Sequence, residues 1–260
     1  LVGSEMCIRD SRNVEEVLTV DDLKALLECG VPLKHYIGFE ISGNLHLGSV
    51  FMAVFKIKDF IKAGVDCSVF LADWHSWINN KLNNDWELIN DMAEYYKFVF
   101  KKALSIVGGD SEKLRFVKGS ELYHNNDDYW FNVLDIAKHS TLARVLRSIT
   151  IAGREEGSAV NFALLIYPLM QVADIFSQNI NLAHSGMDQR KAHVIARDVA
   201  LKIKNKLTFK GGGYKPIAVH HALLPGLQKP SVDITKLSNM EKKQLLSKLK
   251  MSKSVKQSAI

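Results

Sequence analysis

Five short apolar runs, separated by stretches of helical periodicity, constrain this chain more than any other feature. They are Tyr36–Glu40, Asp66–Asp73, Leu114–Val117, Asn179–His184 and Ile217–Leu224. After the first run, apolar residues recur at helical spacing through Leu45, Leu47, Val50, Phe51, Val54, Phe55, Ile57 and Phe60. Trp86–Val107 has the same character, with Met92, Tyr96, Val99, Ala103 and Ile106 on one stripe. Further helices are predicted over about Asp127–Gly153, Asn161–Gln178 and Asp188 to Ile203. Strands that alternate with helices are joined by crossovers, which leave a parallel sheet with helices on both faces. The fold class is therefore α/β, and ligands of such sheets bind at the carboxyl ends of the strands. Gly211-Gly212-Gly213 reads as a surface turn.

Composition narrows the setting without naming a chemistry. With 260 residues, 47% of them apolar, the chain can bury one large core, or a core plus an insertion. No apolar run reaches membrane-spanning length and no signal peptide is evident, so a cytoplasmic protein with no membrane partner is expected. Cys7, Cys29 and Cys67 are few and far apart, which indicates neither a disulfide framework nor a zinc site. A net charge of +6 favours a polyanionic partner such as RNA.

Two motifs carry chemistry. Ser42-Gly43-Asn44 is a turn between the first strand and the helix that starts near His46, Gly48 and Ser49. Free backbone N–H groups at that helix start, with an imidazole and a hydroxyl beside them, make an anion site. Gly48 lets a nucleotide lie close to the helix, and His46 can donate to phosphate oxygens. About two hundred residues later, Lys250-Met251-Ser252-Lys253-Ser254 sets two lysines among small hydroxyl residues, which suits a polyphosphate. Each motif alone is weak, since a capping turn and a solvated charge run explain them as well; the pair is specific.

With these residues in this order, the chain resembles the class I aminoacyl-tRNA synthetases, whose signatures are a HIGH-type motif after the first strand and a KMSKS loop after the last. Within that class it is similar to the tyrosyl-tRNA synthetases of archaeal and eukaryotic type. The likeness runs over residues 13–260, through HYIGFEISGNLHLGS, FLADWHSWIN, LIYPLMQVADI, GMDQRKAH and KMSKSVKQSAI. Ser49 departs from the histidine that often ends the first signature. The resemblance implies a Rossmann-like catalytic domain with a helical insertion over about 118–160 and the KMSKS loop at 250–254. It leaves residues 1–12 unassigned, and it implies an anticodon-recognising helical domain that these 260 residues do not include.

Tyr167, Gln171 and Asp174 fall at i, i+4 and i+7, so one face of an otherwise apolar helix carries a phenol, an amide and a carboxylate. Spacing alone leaves open a set of satisfied interior polar groups. The resemblance implies instead that Tyr167, Gln171 and Gln189 bind the amino group of L-tyrosine, while Tyr36 and Asp174 hold its phenolic hydroxyl. It further implies that Phe70, Ala72 and His75 line the pocket, although His75 also reads as a core histidine beside Trp74 and Trp77. His184 and the pair His220-His221 lack metal-ligand spacing and read as strand-end or interior histidines.

What the resemblance implies for catalysis is alignment and charge neutralisation. The tyrosine carboxylate attacks the α-phosphorus of ATP, which carries Mg²⁺. His46, Lys250 and Lys253 stabilise the developing charge, and Gly48, Ser49, Gly186 and Met187 seat the nucleotide. Tyrosyl-adenylate then charges tRNA(Tyr), with charging expected to be weak without the anticodon domain. Arg144, Arg147 and Arg154 fit either acceptor-stem contacts or a solvated helix face, and a homodimer through the insertion is expected. Two rival readings are a tryptophanyl-tRNA synthetase, which the Tyr36 and Asp174 pair opposes, and a noncatalytic RNA-binding paralogue, which the intact motifs oppose.

Overall fold

The computed structural model describes residues 13–153 and 161–224. In chain order they form β1 (Glu16–Leu18), α1 (Val20–Glu28), β2 (Lys34–Glu40), α2 (Leu47–Lys62), β3 (Asp66–Ala72), α3 (Asp73–Ile78) and α4 (Trp86–Ile106). After these come β4 (Leu114–Lys118), α5 (Gly119–Tyr123), α6 (Asp127–Lys138), α7 (Leu142–Ser148) and α8 (Ala163–Ser177). The described chain closes with β5 (Leu182–Gly186), α9 (Arg190–Val199), the two-residue strands β6 (Thr208–Phe209) and β7 (Gly212–Gly213), and β8 (Ile217–His221).

The sheet order is β1-β8-β5-β2-β3-β4. All neighbours are parallel except β1, which pairs antiparallel with β8. Chain direction across the sheet reverses between β2 and β5, so a crevice opens above that boundary at the carboxyl ends. Alternation along β2 divides the core in two. Tyr36 enters the cluster built with α6, α8 and α9, whereas Ile37 enters the one built with α1, α2 and α4.

Three expectations are refined. The helix expected over Asp127–Gly153 is broken after Lys138, because Thr141 Oγ1 accepts from the Arg144 N–H and caps a new helix, α7. The fourth strand begins later than expected, at Leu182, since Asn179 takes a left-handed turn. Asn181 then ties the start of β5 to the neighbouring chain, accepting from Lys34 N–H at 2.8 Å and donating to Pro32 O at 2.9 Å. Gly211–Gly213 sits in the small β6/β7 hairpin, whose corner residues Lys210 and Gly211 both have positive φ. β1 and α1 were not foreseen, since three strand residues are too few to show a period.

Side chains from α3 and α4 fix the turn that follows β2. The Tyr96 hydroxyl donates to Gly43 O at 2.7 Å, and the Ile41 N–H donates to Ser76 Oγ at 2.7 Å. On the other side of α3, the fully buried Asp73 accepts from the Ser120 and Trp74 N–H groups and from the Ser120 hydroxyl. Burial pushes the Asp73 carboxyl up, and the Ser120 bonds oppose that shift. Gly119 makes this approach feasible: a Cβ there would lie 2.6 Å from Asp73 Oδ1 and 2.9 Å from the Tyr123 ring. Gly119→Ala is therefore expected to destabilise the fold by about 1–3 kcal/mol through overpacking. Thermal denaturation reads this as a fall of about 2–4 °C per kcal/mol, and an unchanged melting temperature would contradict the packing described.

Candidate active site

A cleft of about 510 Å³ opens at the carboxyl ends of β2, β3, β5 and β8. One half lies between β2, β3 and α8, with Tyr36, Phe70, Ala72, His75, Tyr167, Gln171 and Asp174 on its walls. The other half is bounded by the start of α2 and by the ends of β5 and β8, with His46, Ser49, Gly186, Asp188 and His221. The i, i+4, i+7 spacing on α8 brings Tyr167, Gln171 and Asp174 to the wall of this first half.

Asp174 closes the inner end of that half. It is 1% exposed, and its Oδ1 accepts two phenol hydrogen bonds, from Tyr123 at 2.9 Å and Tyr129 at 3.0 Å. Burial drives the carboxyl well above the ordinary range, and the two phenols pull it back down. With Oδ1 occupied, Oδ2 remains as acceptor, 3.9 Å from His75 Nε2. Tyr36 stands in the same cluster, its hydroxyl pKa raised by burial and by the charge of Asp174. Phe70 meets the Tyr36 ring edge-on at 6.2 Å. His75 proves to be both a core and a lining residue. Its ring packs edge-on against Tyr167 at 4.5 Å, and burial lowers its pKa to about 4 against the opposing pull of the Tyr167 backbone.

Seven residues nearer the start of α8, about 10 Å along the helix axis, the polar groups form a different set. The Tyr167 hydroxyl donates to Glu40 Oε1 at 3.4 Å, and Asn79 Nδ2 donates to the same oxygen at 2.7 Å. Lys81 Nζ lies 3.5 Å from Glu40 Oε2. Gln171 Nε2 donates to Gln189 Oε1 at 3.2 Å, and Gln189 Nε2 donates to Ile151 O at 3.0 Å. With Gln171 Nε2 so engaged, its Oε1 is left as a buried acceptor without a described partner. A carboxylate, an amide oxygen and a phenol oxygen in one place suit a cation with several N–H donors.

At the mouth, His46 is the N-cap of α2. Its Nδ1 accepts the Ser49 N–H at 3.1 Å, so the neutral ring carries its proton on Nε2, which lies 2.6 Å from Ser49 Oγ. Ser49 takes that proton as acceptor and has its own O–H to pass on, at a helix N-terminus that favours anions. The departure at Ser49 thus becomes a link from the imidazole to the cleft.

Eleven of the residues singled out from sequence converge on this cleft: Tyr36, His46, Ser49, Phe70, Ala72, His75, Tyr167, Gln171, Asp174, Gly186 and Gln189. Gly48, in the first turn of α2, and Met187, in a 3-10 turn over Met187–Gln189, do not line it. Lys250, Lys253 and Arg154 lie outside the described residues. Sequence reasoning missed Tyr123, Tyr129 and Glu40. Glu40 could have been found, because it shares a β2 face with Tyr36 at even spacing. The two tyrosines reach Asp174 only through tertiary packing of α5 and α6 against α8.

Comparison with known proteins fits this arrangement. Residues 28–260 match the family described as tRNA synthetases class I (W and Y). The tyrosine–tRNA ligases of Thermococcus sibiricus and Pyrococcus abyssi are 57% and 55% identical to the chain, over 95% of its length and 66% of theirs. The chain thus spans about two thirds of the length of these curated relatives. Among solved structures, the tyrosyl-tRNA synthetase of Pyrococcus horikoshii complexed with L-tyrosine superimposes with a TM-score of 0.95 at 52% identity, covering 99% of this chain and 70% of that one. The Aeropyrum pernix enzyme gives a TM-score of 0.79 at 39% identity, over 100% and 68%. By motif order, sheet order and matched length, the chain belongs to the class I tRNA synthetases of the tryptophan and tyrosine family.

Proposed function

We propose that the cleft binds L-tyrosine lengthwise beside ATP and joins them as tyrosyl-adenylate, releasing pyrophosphate, before the tyrosyl group passes to the 3′ end of tRNA(Tyr). The observation that carries this reading is the buried Asp174 oxygen at one end of the polar stripe and the acceptor cluster at the other. Asp174 and Tyr36 hold the substrate hydroxyl, while Tyr167, Gln171 and Gln189 hold its ammonium group, with Glu40 adding charge. Phe70, Ala72 and His75 bound the ring. Phenylalanine in the same place leaves a buried carboxylate oxygen and a phenol unpaired, which is the costly outcome for a site built on hydrogen bonds.

The chemistry asks little of the protein beyond placement. The substrate carboxylate is ionised at neutral pH and needs no general base to attack the α-phosphorus. His46 acts with Ser49 at the start of α2, and Lys250 and Lys253 gather the negative charge of the polyphosphate. Gly48, Gly186 and Met187 leave room for the nucleoside along the backbone. Mg²⁺ enters with ATP as its substrate complex, bound through phosphate oxygens; among the described residues no cluster of histidine, cysteine or carboxylate side chains could hold it alone. Helices α5, α6 and α7 belong to the insertion that meets the acceptor stem and a second copy of the chain. No helix among the described residues is long and apolar enough to cross a membrane, and we place the enzyme in the cytoplasm, where its tRNA is.

ATP–pyrophosphate exchange with a panel of amino acids tests the assignment. Tyrosine is expected to support exchange, with phenylalanine and tryptophan about a hundredfold or more weaker in kcat/KM; equal exchange with tryptophan, or none with tyrosine, would refute it. The raised Asp174 pKa adds a signed prediction. The carboxylate accepts the substrate hydroxyl above its pKa and loses that capacity as pH falls through it. KM for tyrosine should therefore rise on acidification at a higher pH than an ordinary carboxylate would give. In Asp174→Asn that pH dependence should vanish and the preference for tyrosine over phenylalanine should fall at least tenfold. An unaltered profile in this variant would remove Asp174 from the role.

A further inference from the structure

Three histidines form a hydrogen-bonded diagonal across three neighbouring strands. His35 on β2 is in register with Leu182 on β5, and His184 lies two residues further along β5. His184 is in register with Val219 on β8, and His221 lies two residues further again. A step of two keeps all three rings on one face of the sheet while the diagonal climbs to the carboxyl edge. His35 Nε2 is 3.2 Å from His184 Nδ1, and His184 Nε2 is 2.9 Å from His221 Nδ1. Burial keeps the rings neutral: it lowers His35 to about 3, His221 to about 4, and His184 well below the usual range.

A neutral imidazole carries one proton, so these bonds allow only two arrangements, and the inner end selects between them. His35 Nδ1 is buried with no described partner. Were His221 to donate inward, His184 would donate to His35 Nε2, and the His35 proton would be forced onto Nδ1 as an orphaned buried N–H. An orphaned donor is rarer and costlier than an unused lone pair. His35 therefore donates to His184, His184 donates to His221, and His221 carries its proton on Nε2. His221 lines the cleft beside Gly186, Asp188 and Leu223; a Cβ on Gly186 would meet Asp188 Oδ1 at 2.8 Å and Leu223 Cδ2 at 2.9 Å, and His221 Nε2 only at an ordinary contact distance of 3.5 Å.

On the opposite face a second pair has the reverse polarity. Glu16, held by Arg190 at 2.8 Å, accepts from His220 Nδ1 at 2.9 Å. His220 Nε2 must then accept from His193 Nδ1, 3.0 Å away. The same bookkeeping of protons thus yields opposite tautomers on the two faces.

We propose that the His35–His184–His221 diagonal is a fixed hydrogen-bond donor for the nucleotide: His221 Nε2–H binds an acceptor atom of ATP in the β5/β8 half of the cleft, and His35 and His184 set its tautomer. This rests on the reading of that half as the ATP site. His221 is then a nucleotide-binding residue, and the two inner histidines are positioning residues.

Nitrogen-15 NMR of the histidine side chains at neutral pH tests the tautomers in the unsubstituted protein. Proton on Nε2 is expected for His35, His184 and His221, and on Nδ1 for His193 and His220; proton on Nδ1 of His221 overturns the proposal. Kinetics test the ligand. His221→Leu should raise KM for ATP about tenfold, the loss of one hydrogen bond, with KM for tyrosine within about twofold. His221→Asn should recover most of the ATP affinity, since its Oδ1 can accept from His184 and its Nδ2 can donate to the cleft. An unchanged KM for ATP in His221→Leu, or equal loss in both variants, overturns the proposal. If the unsubstituted protein showed no tyrosine-dependent exchange, the ATP reading itself would fail, and the spectrum would still decide the tautomers.

Discussion

A carboxylate with almost no access to water, Asp174, is the group around which the first half of the cleft is organised. Removing a charge from water costs several kcal/mol in a protein interior unless hydrogen bonds replace its hydration. Among the described residues no Lys or Arg does so. Two phenols, Tyr123 and Tyr129, donate to one oxygen and leave the other to the cleft. On the proposed function, a phenol of the substrate would complete the set at the second oxygen.

The sheet supplies the coordinates for that arrangement. Parallel β2 and β3 bring Tyr36 and Phe70 onto the face that α8 covers, and the order reversal between β2 and β5 opens space at their carboxyl ends. The tight corner of Gly119 over Asp73 seats α5, and with it Tyr123. Across the boundary, β5 and β8 carry the histidine diagonal upward to the same rim. One half of the cleft is thus ended by an acceptor and the other half by a donor, each set by partners buried behind it.

The strands and the crossover helices were legible because their apolar periods differ so clearly, and the stripe of Tyr167, Gln171 and Asp174 was legible because helical spacing survives in any context. Glu40 was within reach of the same reasoning. Tyr123, Tyr129 and Asn79 were not, since each meets its partner through packing between elements far apart in sequence. The histidines at 35, 184 and 221 look unrelated until strand register is known, because a shift of one residue in either pairing would place a ring on the other face. β1 was too short to announce itself, although its Glu16 fixes the polarity of the second histidine pair. At the other extreme, the KMSKS stretch, specific only when paired with the motif at His46, lies outside the described residues.

The central claim, that the buried Asp174 oxygen reads a phenolic hydroxyl, is tested most directly by calorimetric titration of L-tyrosine and L-phenylalanine into the protein without ATP. The account predicts measurable tyrosine binding, with phenylalanine weaker by about a hundredfold, as expected when a buried charged acceptor is left unpaired. Equal affinities for the two amino acids would contradict it.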